Sequence, residues 1–295
     1  MHTAQHGLMR NKRKKGTEFH MPELPEVETI RKTLIGLVAG KKIIDVHIFW
    51  PKIIQHPEVE EFSLLIKGQT IQDIKRRGKF LIFLLDDFSL VSHLRMEGKY
   101  ALYPNHEPID KHTHVIFQLE NNEQLRYRDV RKFGTMHLFP KGKEMDELPL
   151  NKLGPEPFSE KFTVQYLMKV LNKTSRSIKS ALLDQTIVAG LGNIYVDEVL
   201  FRSRVHPETL ANQLKRSEVK RIHEEMIQTL NEAVKKGGST VRTYINSQGE
   251  IGMFQLDLYV YGRTGEHCKV CGTLLERLVV GGRGTHICPT CQKKK

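Results

Sequence analysis

The sequence predicts an α+β chain of several domains, and three observations carry that prediction. Between residues 41 and 150, short β-branched and aromatic runs alternate with turn residues. From residue 164 to residue 235 the apolar positions recur at helical spacing. All four cysteines fall in the last thirty residues, as two Cys-x2-Cys pairs. A chain of 295 residues has room for two or three domains with their own cores. The reading is a β-sandwich or barrel with an added helix, then a helical domain, then a small terminal module.

Charge narrows the function classes. The chain carries a formal +12, of which the first twenty residues, with five Lys/Arg and one Glu, supply +4. The remaining +8 makes the body basic, which points to a polyanionic partner. No apolar run approaches the roughly 18 residues of a membrane span. The N-terminus is basic but lacks the apolar stretch of a secretory signal. The cysteine placement favours a metal site in a reducing compartment.

Residues 1–21 read as an extension. Two explanations stay open: a disordered basic arm, or a mis-assigned start, with the purine-rich Lys-Lys-Gly codons being a translated ribosome-binding site ahead of Met21. Next comes Met21-Pro22-Glu23-Leu24-Pro25-Glu26-Val27-Glu28. If Met21 starts translation and is trimmed, Pro22 becomes a secondary amine able to attack an electrophilic sugar carbon and form an iminium. Glu23 then stands beside it as an acid/base group. The plainer alternative is a proline-punctuated helix start with acidic first-turn residues. Val27, Ile30, Leu34 and Leu37 predict one buried helical face.

In the β-rich part, Lys42–Phe49, Thr70–Ile74, Phe80–Leu85 and Ser89–Leu94 read as strands. His114–Leu119 and Gln124–Tyr127 form a hairpin around Asn121-Asn122. Arg76-Arg77-Gly78-Lys79 is a basic turn in which Lys79 either points into a groove or is solvated. Met96 and Phe133 sit among charges and glycines, a placement that suits wedging between bases as well as core packing.

Gly154-Pro155-Glu156-Pro157 reads as a linker-like break. Helices are then predicted at Val164–Leu171, Ser177–Leu183, Tyr195–Arg202 and Ser217–Lys235. Gly190-Leu191-Gly192-Asn193 precedes a helix with Asn193 as its N-cap, and its N–H groups either cradle an anion or form a plain interhelical turn. Lys179 adds charge to the same surface. Gly237-Gly238 closes the last helix, and a polar loop runs to about Met253. Cys268, Cys271, Cys288 and Cys291 have the spacing of one tetrahedral Zn²⁺ ribbon site, structural because four protein ligands leave no open position; disulfides are the alternative. Arg283 belongs to the glycine-rich tip of the hairpin between the pairs, as a phosphate contact or a solvated turn residue.

Together, PELPEVET, RRGKF, SHLRMEG, RYRDVRKFG, GLGNIYVDE, GGSTVRTY and the paired CxxC resemble the formamidopyrimidine-DNA glycosylase family from Met21 to Cys291. The resemblance implies an α+β multidomain clamp on DNA. It comprises an N-terminal β-sandwich with an added helix (22–153), a helix-two-turn-helix domain (154–255) whose loop at about 237–253 covers the lesion, and a C-terminal zinc-ribbon finger (256–295). It implies a bifunctional glycosylase and abasic-site lyase of base excision repair. Such an enzyme excises 8-oxoguanine and formamidopyrimidines from duplex DNA by base flipping, through a Pro22 iminium and β,δ-elimination.

By resemblance, Pro22 is the nucleophile, Glu23 the acid/base group, and Lys79 and Arg283 the residues linked to β- and δ-elimination. Met96, Arg131 and Phe133 fill the gap left by the flipped base. His112, Lys179 and Asn193 contact phosphates, and Thr243 and Tyr244 lie in the lesion loop. One structural zinc, double-stranded DNA with oxidised purines or abasic sites, a monomer, no membrane, and a bacterial, cytoplasmic, nucleoid-associated location complete the expectation. One departure stands out: as written, Pro22 is internal and its nitrogen is an amide. Rival readings are an endonuclease VIII-like glycosylase for oxidised pyrimidines and, if Pro22 stays internal, a non-catalytic lesion-binding zinc protein.

Overall fold

The computed structural model describes residues 21–239 and 253–294. The extension 1–20 and the loop residues Thr243 and Tyr244 lie outside the described residues. The chain opens with α1 (Leu24–Val38), with Pro25 in its first turn and the backbone N–H of Glu23 donating to the Glu26 carboxylate at 2.9 Å. Leu24, Val27, Ile30, Leu34 and Val38 form its buried stripe, so the last core position is Val38 and Leu37 is only half-buried. Each fully buried side chain of this kind contributes about 1.5–3 kcal/mol.

There follow β1 (Ile43–Ile48), β2 (Ile54–His56), α2 (Val59–Ile66), β3 (Asp73–Arg77), β4 (Phe80–Leu84), β5 (Phe88–His93), β6 (Lys99–Pro104), β7 (Thr113–Leu119), β8 (Glu123–Arg128) and β9 (Thr135–Pro140). They form two sheets, ordered β1-β7-β8-β6 and β2-β9-β5-β4-β3. All pairings are antiparallel except β2 with β9. This is a sandwich rather than a closed barrel. Its core lies between the sheets, with Val46, Val115, Phe117, Leu125 and Tyr127 facing Ile74, Leu81, Phe83, Leu90 and Leu138.

The unbroken apolar run of β4 is explained by burial on both faces. Leu81 and Phe83 enter the sandwich core, while Phe80 and Ile82 pack against Val91, Phe139 and Leu150 on the other side. The hairpin around Asn121-Asn122 is present, with both residues at positive φ. Helix α2 and strands β2, β6 and β9 have no counterpart in the sequence reading. Each is short, and Val59–Ile66 mixes acidic and apolar residues too briefly for one period to stand out.

The helical domain contains α3 (Val164–Leu171), α4 (Ile178–Leu182), α5 (Asn193–Arg202) and α6 (Arg216–Lys235). Helix α5 is buried along most of its length and packs on α6. The break at Gly154–Pro157 is not slack. Gly154 N–H donates to the Gln185 carbonyl at 2.9 Å, Ala189 N–H donates to the Pro155 carbonyl at 3.1 Å, and Glu156 is paired with Arg76. The chain ends in the hairpin of β10 (Glu276–Val280) and β11 (Arg283–Ile287), turned by Gly281-Gly282 with both φ positive, a conformation that glycine adopts without strain. No helix among the described residues is long and apolar enough to cross a membrane.

Candidate active site and nucleic-acid interface

The first residues of the sandwich domain are docked against the helical domain. Glu23 stands at the N-cap of α1, and its carboxylate reaches the N-terminus of α5. Gly192 N–H donates to it at 2.6 Å and Ile194 N–H at 2.8 Å. Asn193 is therefore not the cap: Gly192 holds that position, and the anion in the Gly-x-Gly cradle is a carboxylate of the same chain. Glu26 lies one turn along α1. It accepts from Tyr195 Oη at 2.6 Å, and from Ser239 N–H at 2.7 Å at the start of the loop after α6.

Burial dominates the electrostatics here. It pushes the Glu23 carboxyl up to about 7, against the pull of Lys79 and with help from Glu26. Burial also raises Glu26, against the hydrogen bond from Tyr195. Lys79, only 4% exposed, is lowered by burial although Glu23 and Glu26 oppose the shift. An acid raised to about 7 and an amine lowered by burial thus line one cavity, the kind of perturbed pair that acid–base sites carry.

Lys79 is carried on the two-residue turn between β3 and β4. That turn is clamped from both domains. Arg76 makes a bidentate pair with Glu156, at 2.6 and 2.9 Å, and its Nε donates to Glu28 of α1 at 3.1 Å. Arg77 donates to the Leu153 carbonyl at 3.2 Å. Of the two sequence alternatives for Lys79, a groove or solvent, the structure gives the first: the turn is fixed by its arginines and the lysine is buried on the cavity.

Glu23 and Lys79 open into a cavity of about 450 Å³. Met21, His93, Arg95, Met96, Asn193 and Arg283 also line it. His93 was not singled out by the sequence. It is buried and held well below its ordinary pKa, first by burial and then by Arg95 and Lys79. Met96 also lines a neighbouring groove with His112 and Arg128, so the cavity and the His112 surface meet at this side chain.

Phe133 stands 54% exposed, and the Arg131 guanidinium lies 5.2 Å from its ring centre. The loop that presents them is organised by Asp129, a residue the sequence reading passed over inside RYRDVRKFG. Its buried carboxylate accepts the N–H of Arg131 at 3.0 Å and those of Phe133 and Gly134 at 2.8 Å. Lys132, at positive φ, places its ammonium 4.1 Å from the Trp50 ring centre.

The four cysteine sulfurs lie within 4.8 Å of one another, with Cys268 and Cys291 at 4.0 Å and Cys271 and Cys288 at 3.4 Å. A tetrahedral zinc with Zn–S of about 2.3 Å requires sulfur separations near ~3.8 Å. The set fits one structural zinc. Arg283 opens β11 at the exposed edge of the cavity. Lys179 is placed differently from the surface expectation. It is fully buried, 2.6 Å from Asp197, and donates to the Gly284 carbonyl at 3.0 Å. Asn193 donates to the same carbonyl at 2.9 Å.

Comparison with known proteins decides the family. Residues 21–136 match the formamidopyrimidine-DNA glycosylase N-terminal domain, residues 153–245 its H2TH domain, and residues 265–294 the zinc finger found in FPG and IleRS. A formamidopyrimidine-DNA glycosylase of Bacillus licheniformis is 66% identical over 275 residues, 93% of this chain and all of that protein. The chain belongs to the formamidopyrimidine-DNA glycosylase family. The Bacillus subtilis member is 63% identical over 276 residues, again over its whole length. Among solved structures, Lactococcus lactis Fpg bound to abasic-site DNA superposes with TM-score 0.87 at 46% identity, covering 92% of this chain and all of that one. The Lactococcus protein bound to N7-benzyl-Fapy-dG DNA does so equally well. The three glycosylase-family models leave the segment before residue 21 unmatched.

Proposed function

We propose that this chain is a bifunctional DNA glycosylase and abasic-site lyase that excises oxidised purines from duplex DNA, with Pro22 as its nucleophile. The observation that carries the reading is the convergence of Glu23, Lys79 and Arg283 on one cavity, with Pro22, itself buried, lying in the chain between the lining residues Met21 and Glu23. The family membership and the DNA-bound relatives support the substrate class. The basic charge provides salt-dependent affinity for the phosphate backbone, and flipping the lesion costs a few kcal/mol that wedge and pocket contacts offset.

In this reading the Pro22 nitrogen bonds to C1′ as the N-glycosidic bond breaks, and the base leaves with that electron pair and takes up the proton lost from the nitrogen. Protonated Glu23 then delivers its proton to O4′, the C1′–O4′ bond opens, and the nitrogen lone pair closes a cationic iminium at C1′. That iminium acidifies C2′. Loss of a C2′ proton expels the 3′ phosphate, and loss of a C4′ proton then expels the 5′ phosphate. Lys79 stands where it can relay these protons, and Arg283 where it can hold a phosphate. Met96, Arg131 and Phe133 occupy the vacated stack, while His112 and Asn193 serve the backbone; Lys179, fully buried against Asp197 and the Gly284 carbonyl, supports the finger hairpin and does not reach a phosphate. The zinc holds the finger in shape and takes no part in the bond changes.

This chemistry requires a free amine at Pro22, so the mature protein starts there in our reading. The start of the family match at residue 21 supports it. We assign the protein to the bacterial cytoplasm, associated with the nucleoid, acting as a monomer. The deciding experiment is N-terminal sequencing of protein made from its own upstream DNA, followed by borohydride trapping on 8-oxoguanine, formamidopyrimidine and thymine glycol duplexes. A Pro22 start with trapping on the purine lesions is expected. A second reading is favoured by Met21 lining the cavity: with residues before Pro22 retained, the site binds lesions and forms no adduct.

A further inference from the structure

The buried acidic residue Asp197 takes no part in the chemistry above. Its side chain is 0% exposed on α5, one turn beyond the helix start that holds Glu23. One carboxylate oxygen pairs with Lys179 Nζ at 2.6 Å. The other accepts the backbone N–H of His286 at 2.8 Å and lies 3.2 Å from His286 Nδ1. His286 also packs edge-on against Tyr261, with ring centres 4.6 Å apart. Lys179, so oriented, donates to the carbonyl of Gly284, the residue after Arg283. The finger tip rests on α4 as well, since a Cβ at Gly281 would collide with Ser180 Oγ.

We infer that Asp197 is a positioning residue for Arg283. Through His286 and Lys179 it tethers β11 to the helix whose N-terminus fixes Glu23. One rigid element, α5, then sets the separation between the acid/base group and the finger arginine. A carboxylate fully withdrawn from water is costly unless it is paired and hydrogen-bonded, and here it is satisfied from α4 and from the finger at once. The tether works without touching DNA. Nothing in the local sequence VDEVL distinguishes Asp197 from a solvated helix acid. The inference rests on the reading of Arg283 as a phosphate-holding residue.

The test compares Asp197→Asn, His286→Phe and Arg283→Ala in the zinc-loaded protein that begins at Pro22. Zinc content and thermal melting are measured first, and activities are normalised to the fraction trapped by borohydride. His286→Phe keeps the ring, the Tyr261 contact and the backbone N–H, and so gives a folded variant even if Asp197→Asn does not. Two readouts separate positioning from general destabilisation: the ratio of β- to δ-elimination product on abasic duplex, and the slope of log affinity against log salt. Loss of one phosphate contact lowers that slope by about 0.9.

The expected result is that Asp197→Asn lowers δ-product per trapped enzyme by about 10- to 100-fold, the scale of a displaced catalytic contact. Its salt slope then falls to that of Arg283→Ala, and His286→Phe shifts both in the same direction by less. A wild-type product ratio and slope in Asp197→Asn, or in His286→Phe if only that variant folds, with Arg283→Ala altered, would overturn the inference alone. An unaltered Arg283→Ala would remove the role of Arg283 and the inference with it.

Discussion

The Glu23 carboxylate occupies the space that a side chain at Gly192 would fill. Gly192 N–H donates to it at 2.6 Å, and a Cβ there would stand 2.6 Å from Glu23 Oε1. The glycine is required by close approach of the acid, not by its own backbone angles, which are extended. Gly192→Ala is therefore expected to push Glu23 off the helix terminus. Iminium formation should fall by about 10²-fold, as for misplacement of a reacting group by an ångström, with a loss of about 1–3 kcal/mol in stability from overpacking. Single-turnover borohydride trapping and thermal melting check both.

The acid in that position titrates near neutrality. Glu23 is raised to about 7 in the folded protein from an ordinary value of 4.5. Because ring opening uses its protonated form, the rate of iminium formation, read by borohydride trapping, should fall as pH rises through about 7. The same shift sets a stability trend. The contribution is fully present below pH 4.5, where both states are protonated, and is lost as pH rises to about 7. Glu23→Gln should abolish the limb of the rate profile and, relative to wild type, become more stable across that window, as chemical denaturation from pH 4.5 to 7.5 would register.

Asp129 holds the loop that presents Arg131 and Phe133 through three backbone N–H groups. Asp129→Ala leaves those donors without their acceptor, at a cost of about 1–3 kcal/mol per buried group. The expected outcome is a lower melting temperature and, in excision assays with each base opposite the lesion, weakened discrimination. Retained discrimination at full stability would show that the loop holds its shape without Asp129.

Arg76 and Glu156 fix the turn bearing Lys79. Glu156→Gln keeps the shape but removes the charge, and the expected effect is a drop in strand cleavage larger than the drop in substrate binding. Measuring KM and kcat separately on abasic duplex distinguishes this from lost affinity.

Removing zinc should release the hairpin that carries Arg283. A chelator is expected to abolish tight duplex binding while the sandwich keeps its fold, since the core of the sandwich and the cysteine cluster share no residue. Near-ultraviolet circular dichroism alongside a binding titration checks this, and readdition of zinc should restore binding.

Elements whose signals are local could be read directly from the residues. Helical periods, the paired Cys-x2-Cys spacing, the glycine turn before Arg283 and the Met-Pro-Glu start are written within a few residues each. The predicted bounds of α3 match the observed Val164–Leu171, and the four cysteines meet as their spacing requires. The family motifs named Glu23, Lys79 and Arg283, and the structure places them on one cavity. Which groups complete that cavity, and in which direction burial shifts them, emerged only from the packing of distant elements. Glu23 meets the start of α5 across 169 residues of chain, and His93, Asp129 and Asp197 gain their partners only when separate elements pack. Motif and period are properties of neighbouring residues, whereas burial, which raises Glu23 and lowers Lys79, depends on what the rest of the chain removes from water.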